Sequence, residues 1–233
     1  MAEHNPRTDA IAVAPVDDAL HGSFTSLSPE RVLDAVEQAG HRTTGLCYAL
    51  NSLENRVYEV EIEDGARLVA KFYRPGRWSR DTILDEHRLL ATLTSHEIPV
   101  VAPTRFADGE TLHATHEGIL FTLFPRCGGR CPDELSRDDL REVGRLLARI
   151  HNVASKCEAK YRPAISPATY GRDALALLQK STVLPPGTAE RLVDAVGKVV
   201  VRAEALFAGT ALQPIHGDCH RGNLLRGREG FFF

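Results

Sequence analysis

His216-Gly217-Asp218-Cys219-His220-Arg221-Gly222-Asn223 follows the apolar residues Leu212, Pro214 and Ile215, and two glycines interrupt it. Glycines at this density belong to a loop rather than a helix. On a loop, Asp218 and Asn223 can converge on one point although five positions separate them. The carboxylate can then accept a proton from an attacking hydroxyl, while the amide oxygen holds Mg²⁺ beside transferred phosphates.

Working back toward the N-terminus, Lys71 sits inside the apolar stretch Val69-Ala70-Lys71-Phe72, which reads as a strand. Such a lysine can snorkel to solvent. Glu86 falls on the helix that follows, on the face shared by Ile83, Leu90 and Leu93, where a solvated carboxylate is out of place. Strand, loop and helix of these lengths let the two charges meet. The pair is then either an ordinary ion pair or a phosphate anchor, with the lysine on the phosphates and the glutamate orienting it. The loop at 216–223 favours the second reading, because Asp-x-x-x-x-Asn with a His two before the Asp matches the kinase catalytic-loop pattern. The turn Asn51-Ser52-Leu53-Glu54-Asn55 lies where phosphates would be covered. It lacks glycine, so its position rather than its composition points to Ser52. No G-x-x-x-x-G-K-[ST] string occurs, which argues against a P-loop enzyme.

The layout around these residues is α+β. Residues 1–26 read as a loose polar tail. Ser28-Pro29-Glu30 opens a helix with Val32, Ala35, Val36 and Ala39 on its apolar face, ended by Gly40. Strands are expected at 44–50, 56–62 and 66–73, a helix from Ser79 to about Thr94, and two further strands at 103–106 and 118–124 across an Asp108-Gly109 turn. Beyond Gly128-Gly129, read as a flexible hinge, the chain is mainly helical. A helix at 136–151 is capped by Ser136, with Leu140, Val143, Leu147 and Ile150 as its buried stripe. Helices near 171–180 and 188–208 flank Leu184-Pro185-Pro186-Gly187. The organisation expected is a tail (1–26), a five-stranded antiparallel N-lobe with one internal helix (27–126) and a partial helical C-lobe (127–233).

The 233 residues are 43% hydrophobic and 25% charged, which excludes a mainly disordered chain. With 28 basic against 31 acidic residues the net charge is −3, so a broad grip on nucleic acid is not expected. No signal peptide or apolar run long enough for a membrane span is evident. Five cysteines, an odd number, scattered through such a chain point to a reduced, cytoplasmic protein. Cys127 and Cys131 lack a second ligand pair for a metal site. His113 and His116, beside a turn, read as solvated, and Cys219 would be oxidisable only with a lowered pKa.

With Lys71, Glu86 and the loop 216–223 in place, the chain resembles the aminoglycoside phosphotransferase and choline kinase superfamily. Within it, the blocks NSLENRVYEVE (51–61), LVAKFYRPGRWS (68–79), ILDEHRLL (83–90), GILFTLFPRCGGR (118–130) and HGDCHRGNLL (216–225) resemble the stress response kinase A family. That resemblance implies a bilobal protein-kinase-like fold and an ATP- and Mg²⁺-dependent Ser/Thr protein kinase, monomeric when complete. It makes Asp218 the catalytic base and Asn223 a Mg²⁺ ligand. It makes Lys71 and Glu86 the phosphate-binding pair, Ser52 an ATP contact, and Phe121 to Phe124 the edge of the adenine site.

One departure stands out. The family follows the Asn with a hairpin ending in a metal-binding aspartate; here the hairpin reads LLRGREGFFF and stops at Phe233. A truncated C-lobe is therefore expected, with the second metal ligand missing and the three terminal phenylalanines exposed. The alternatives are a kinase of small hydroxyl compounds (aminoglycoside, choline or homoserine-like) and an inactive nucleotide-binding fragment. A metallophosphoesterase, with Asp85-x-His87 as its D-x-H element, lacks the later histidines it would need.

Overall fold

The computed structural model describes residues 24–180, 184–185 and 187–233. The expected tail therefore lies outside the described residues except for its last three, which form a short 3₁₀ turn. Ser28 accepts from the Arg31 N–H and Pro29 takes the first turn of α1 (Pro29–Gln38), whose Val32, Ala35 and Val36 are buried. Gly40, with φ of +93°, lets the chain leave the helix in the left-handed region.

A five-stranded antiparallel sheet follows in the order β1-β2-β3-β5-β4. Its strands are β1 (Thr43–Leu50), β2 (Arg56–Ile62), β3 (Arg67–Phe72), β4 (His113–Ala114) and β5 (Leu120–Pro125). α2 (Arg80–Ser95) lies between β3 and β4, capped by Ser79. One sheet face packs on α1 through Val60, Ile62, Leu68, Ala70, Phe72, Phe121 and Leu123. Within that core Phe72 stacks on Phe121 at 5.4 Å.

The fourth strand is not where the periodicity puts it. Residues 103–106 form no strand; Thr104 gives its N–H and its hydroxyl to the Leu123 carbonyl at 2.8 and 3.0 Å. Pro103 has no N–H with which to extend a ladder. The chain turns at Asp108-Gly109, and His113–Ala114 pairs with β5 instead. His116 is exposed as expected, whereas His113 is only partly so: it stacks on Phe106 at 3.9 Å and bonds Asp108.

By contact density the chain divides into two compact units. The larger, described over 24–163 and 211–233, contains the boundary expected at 126/127. There α3 (Arg137–Ala154) opens with a capping box of Ser136 and Asp139. Val143, Leu146 and Ile150 of α3 share a second core with Leu93, Ile98, Leu224 and Phe231. Leu140, expected in that stripe, is 56% exposed, and Leu146 fills the inward position instead. β6 (Leu225–Gly227) and β7 (Gly230–Phe232) form a hairpin.

The terminal phenylalanines are docked, not exposed as expected. Phe231 is buried and its N–H meets Glu142, while the Phe233 carbonyl accepts from Val101 at 2.8 Å. Gly129 serves this docking rather than free hinging. A Cβ there would stand 2.9 Å from the Phe232 ring, and the adjacent Arg130 forms a two-way backbone bridge with Arg226.

The smaller unit, described over 164–180, 184–185 and 187–210, contains a π-helical turn (Ala168–Asp173), α4 (Ala174–Lys180) and α5 (Thr188–Phe207). A side chain at Gly171 would collide with Val200, which is buried. Pro186 of the break between its helices lies outside the described residues.

α2 also buries a polar cluster. His87 is 3% exposed, with Nε2 3.1 Å from the Tyr73 hydroxyl and Nδ1 2.8 Å from the Thr111 hydroxyl. Burial, the largest influence, pushes the imidazole pKa down to about 4. Because the folded value lies below the unfolded one of about 6.5, the unfolded chain binds the extra proton between these pH values. Stability held above pH ~6.5 should fall by up to about 3 kcal/mol as pH drops to ~4, and this group should add no further loss below that. Urea unfolding of wild type and His87→Gln at pH 7 and pH 4.5 checks this. The variant should lose less stability on acidification, and equal losses would contradict it.

Candidate active site

The β3 register decides what surrounds Lys71. Val57, Lys71 and Thr122 lie opposite one another across β2, β3 and β5, and Leu50 lies opposite Val57. Glu59, Val69 and Phe124 form the neighbouring row on the same face. Lys71 is thus surrounded by Leu50, Val57, Val69 and Phe124, on the sheet face turned away from α1. Phe121 is not brought there. It stands three positions before Phe124, so the strand alternation sends it to the opposite face, where it is 1% exposed in the core.

Lys71 and Glu86 do meet. The ammonium is 3.6 Å from Glu86 Oε1, and the side chains keep 25% and 31% exposure. Burial pulls the Glu86 carboxyl upward, but Lys71, Arg162 and His87 outweigh it and hold it below the ordinary carboxylate range. Arg162, which the sequence reading missed, bonds Glu86 Oε2. It stands in an irregular loop after α3, where no periodicity or motif distinguishes it.

Asp85, one residue earlier on α2, was missed in another way. Its carboxylate is buried and accepts from the Tyr161 and Arg162 N–H groups at 2.5 and 3.2 Å, and from Arg88. Burial raises its pKa, but these donors outweigh that and leave it lowered. Asp85 and His87 both have partners of this structural kind. Among the described residues no group of three or more His, Cys, Asp or Glu side chains could hold a metal ion. Cys127 and Cys131 are free thiols.

The turn 51–55 carries Ser52, which is partly buried, and it is tied down rather than glycine-loose. Glu54 accepts from Arg77 Nε at 2.8 Å and from the Trp78 indole at 3.1 Å. Asn55 accepts from the Arg74 N–H at 3.3 Å.

The loop 216–223 is built from local bonds. His151 of α3 accepts from the His216 N–H at 3.4 Å, and His216 Nδ1 accepts from the Asp218 N–H at 3.3 Å. Gly217, at φ of +77°, makes the reversal between them. His220 caps a 3₁₀ turn (Arg221–Asn223) by accepting from the Gly222 N–H. Asn223 then reaches back, its Nδ2 donating to Asp218 Oδ2 at 2.9 Å and to the Asp218 carbonyl at 3.0 Å. Asp218 and Asn223 therefore converge, as their spacing implied. The Arg221 guanidinium bonds the Asp133 carbonyl and fixes the loop to the segment after Gly129. Burial lowers the His216 pKa most, while Asp218 and Glu86 oppose it; the α2 carboxylate and this loop thus share one electrostatic neighbourhood.

The donors fit a hard cation. With the Asn223 N–H₂ engaged by Asp218, its Oδ1 is the amide atom left for Mg²⁺, which prefers oxygen ligands shared with phosphates and water.

A family model for the phosphotransferase enzyme family matches residues 49–232. The chain belongs to that family. It is 38% identical over 213 residues to stress response kinase A of Escherichia coli (strain K12), covering 91% of this chain and 64% of that protein. It is 37% identical over 212 residues to the serine/threonine protein kinase RdoA of Salmonella typhimurium (strain LT2), with the same coverages of 91% and 64%. The chain thus spans 64% of the length of these relatives. An amicoumacin kinase solved with AMP-PNP, Ca²⁺ and Ami superposes with a TM-score of 0.66 at 19% identity, covering 85% of this chain and 61% of that one. The α+β, protein-kinase-like fold of this phosphotransferase family is therefore the fold of this chain.

Cys219, inside the loop, is not an activated thiol. Burial first, and the Asp218 charge second, push its pKa up. Peptide-resolved alkylation with iodoacetamide at neutral pH should find Cys219 slower than a free thiol. Asp218→Asn should speed it a few-fold by removing one of the two causes. A wild-type rate matching free glutathione would contradict this assignment.

Proposed function

We propose that this chain is the nucleotide-binding and catalytic portion of an ATP- and Mg²⁺-dependent kinase whose acceptor is a Ser/Thr hydroxyl of a protein. The observation that carries the reading is the Asp218–Asn223 bond. Asn223 fixes Asp218 through Oδ2, and Oδ1, 3.7 Å from His220 Nε2 and so beyond hydrogen-bond length, is the oxygen left to take a hydroxyl proton. The Asp218 side chain is 74% exposed, so an acceptor can reach it. As the hydroxyl oxygen bonds to the γ-phosphorus, the bond to the ADP oxygen breaks and the hydroxyl proton passes to Asp218.

Lys71 holds the phosphate chain, and Glu86 holds Lys71 in place. Leu50, Val57, Val69 and Phe124 offer an apolar face for the base, and Ser52 covers the phosphates from its turn. Mg²⁺, when bound at Asn223, would neutralise charge on the phosphate oxygens. The protein acceptor and a role in stress response rest on the names of the relatives at 37–38% identity. A reduced, cytoplasmic setting is supported by five free cysteines. Among the described residues no helix is long and apolar enough to cross a membrane.

Transfer from radiolabelled ATP to an unfolded Ser/Thr-rich protein, with small aminoalcohols and aminoglycosides as rival acceptors, tests the reading. Asp218→Asn should leave ATP affinity nearly unchanged and lower turnover ~10²–10⁴-fold, the usual worth of a general base. Retained turnover would remove Asp218 from the mechanism. Preferential labelling of a small hydroxyl compound would replace the protein acceptor.

A further inference from the structure

Glu86 has one negative charge and two cationic partners. Lys71 stands at Oε1 and Arg162 at Oε2, so the two cations are no further apart than two ion-pair contacts and the width of one carboxylate. Two positive charges against one leave a surplus positive charge. Both cations keep part of their side chains accessible, 25% for Lys71 and 32% for Arg162. Neutralising Glu86 needs only Lys71. The second cation overcompensates it, as a site for an anion requires.

Arg162 is also held in advance. The backbone N–H groups of Tyr161 and Arg162 both end on the buried Asp85 carboxylate, and the Tyr161 carbonyl accepts from the Thr82 hydroxyl at 3.2 Å. Its guanidinium lies 5.3 Å from the Trp78 ring centre, and the Trp78 indole holds Glu54 of the 51–55 turn. Trp78 thus links Arg162, bound to Glu86, with the turn that carries Ser52. A guanidinium has five N–H donors in a planar fork, more than one carboxylate oxygen can use, and the fork matches phosphate geometry.

The geometry points to Arg162 as a second phosphate-binding cation, acting with Lys71 on the di- or triphosphate chain of the bound nucleotide. This assignment rests on the nucleotide reading above. Lys71 supplies a point charge, Arg162 a directed fork, and Glu86 holds both at one spacing. Asp85 acts through Arg162 by fixing its backbone and is a positioning residue.

Calorimetric titration of the 233-residue chain with ATP, ADP and adenosine, in wild type, Arg162→Ala and Arg162→Lys, tests the assignment. Arg162→Ala should weaken ATP by about tenfold or more, the worth of a charge-assisted phosphate contact. ADP should weaken less, and adenosine should bind as in wild type, which also reports an intact fold. Arg162→Lys should recover part of the ATP loss, because it restores the charge but not the fork. Equal weakening of ATP and adenosine, or unchanged ATP affinity, would overturn the assignment and leave Arg162 a structural partner of Glu86. Tripolyphosphate as a bare anion separates the two readings. Wild type that binds it and loses it on Arg162→Ala, yet binds adenosine nucleotides no better, would keep the phosphate site and refute the nucleotide. Wild type that binds neither would refute both.

Discussion

Two consecutive acids on α2, Asp85 and Glu86, hold the functional end of the molecule together. A buried carboxylate is tolerated only when its lone pairs are satisfied. Asp85 meets that condition with two backbone N–H groups from the loop after α3 and with Arg88. That ties a segment from beyond α3 to the helix beside the sheet. Glu86, one residue on and facing the sheet, then finds Lys71 and Arg162 at its two oxygens. Breaking the Asp85 contacts would strand a buried charge and free the loop at once, so helix position and charge cluster depend on the same few bonds.

The second half of the site is built on different physics. Its loop runs from α3, through His151, to a hairpin whose Phe231 shares a core with Val143, Leu146 and Ile150. Within the loop the backbone N–H groups of Asp218 and Gly222 end on histidine ring nitrogens, and Asn223 closes the turn onto Asp218. Local hydrogen bonds thus shape the loop, while apolar burial fixes where it stands. The close approach of Phe232 to Gly129 extends this packing to the segment after β5.

Much of this was legible in the sequence. Helix caps at Ser28 and Ser136 are set by local chemistry and stand as read. The Asp218–Asn223 convergence follows from loop character and spacing, and Lys71–Glu86 from strand and helix lengths. The misreadings have physical causes. Phe121 and Phe124 looked equivalent, but three residues on a strand reverse the face. Leu140 was placed by helical period alone, and Leu146, six positions on, faces the core in its stead. Residues 103–106 have strand-like composition without the proline-free backbone a ladder needs. Arg162 and the docking of Phe231 depend on contacts across about 76 and 89 positions, which no local pattern announces.

The central claim is that the charge cluster on β3 and α2 exists to hold phosphates rather than to hold the fold. Thermal melting of wild type and Lys71→Ala, each with and without ATP and Mg²⁺, tests it most directly, because ligand binding to the folded state raises the melting temperature by an amount that grows with the logarithm of one plus the ratio of free ligand to Kd. The result expected is nearly equal melting of the two proteins without nucleotide, with the nucleotide-induced rise lost in Lys71→Ala. A large drop without nucleotide, together with a nucleotide-induced rise equal to that of wild type, would show the cluster to be structural.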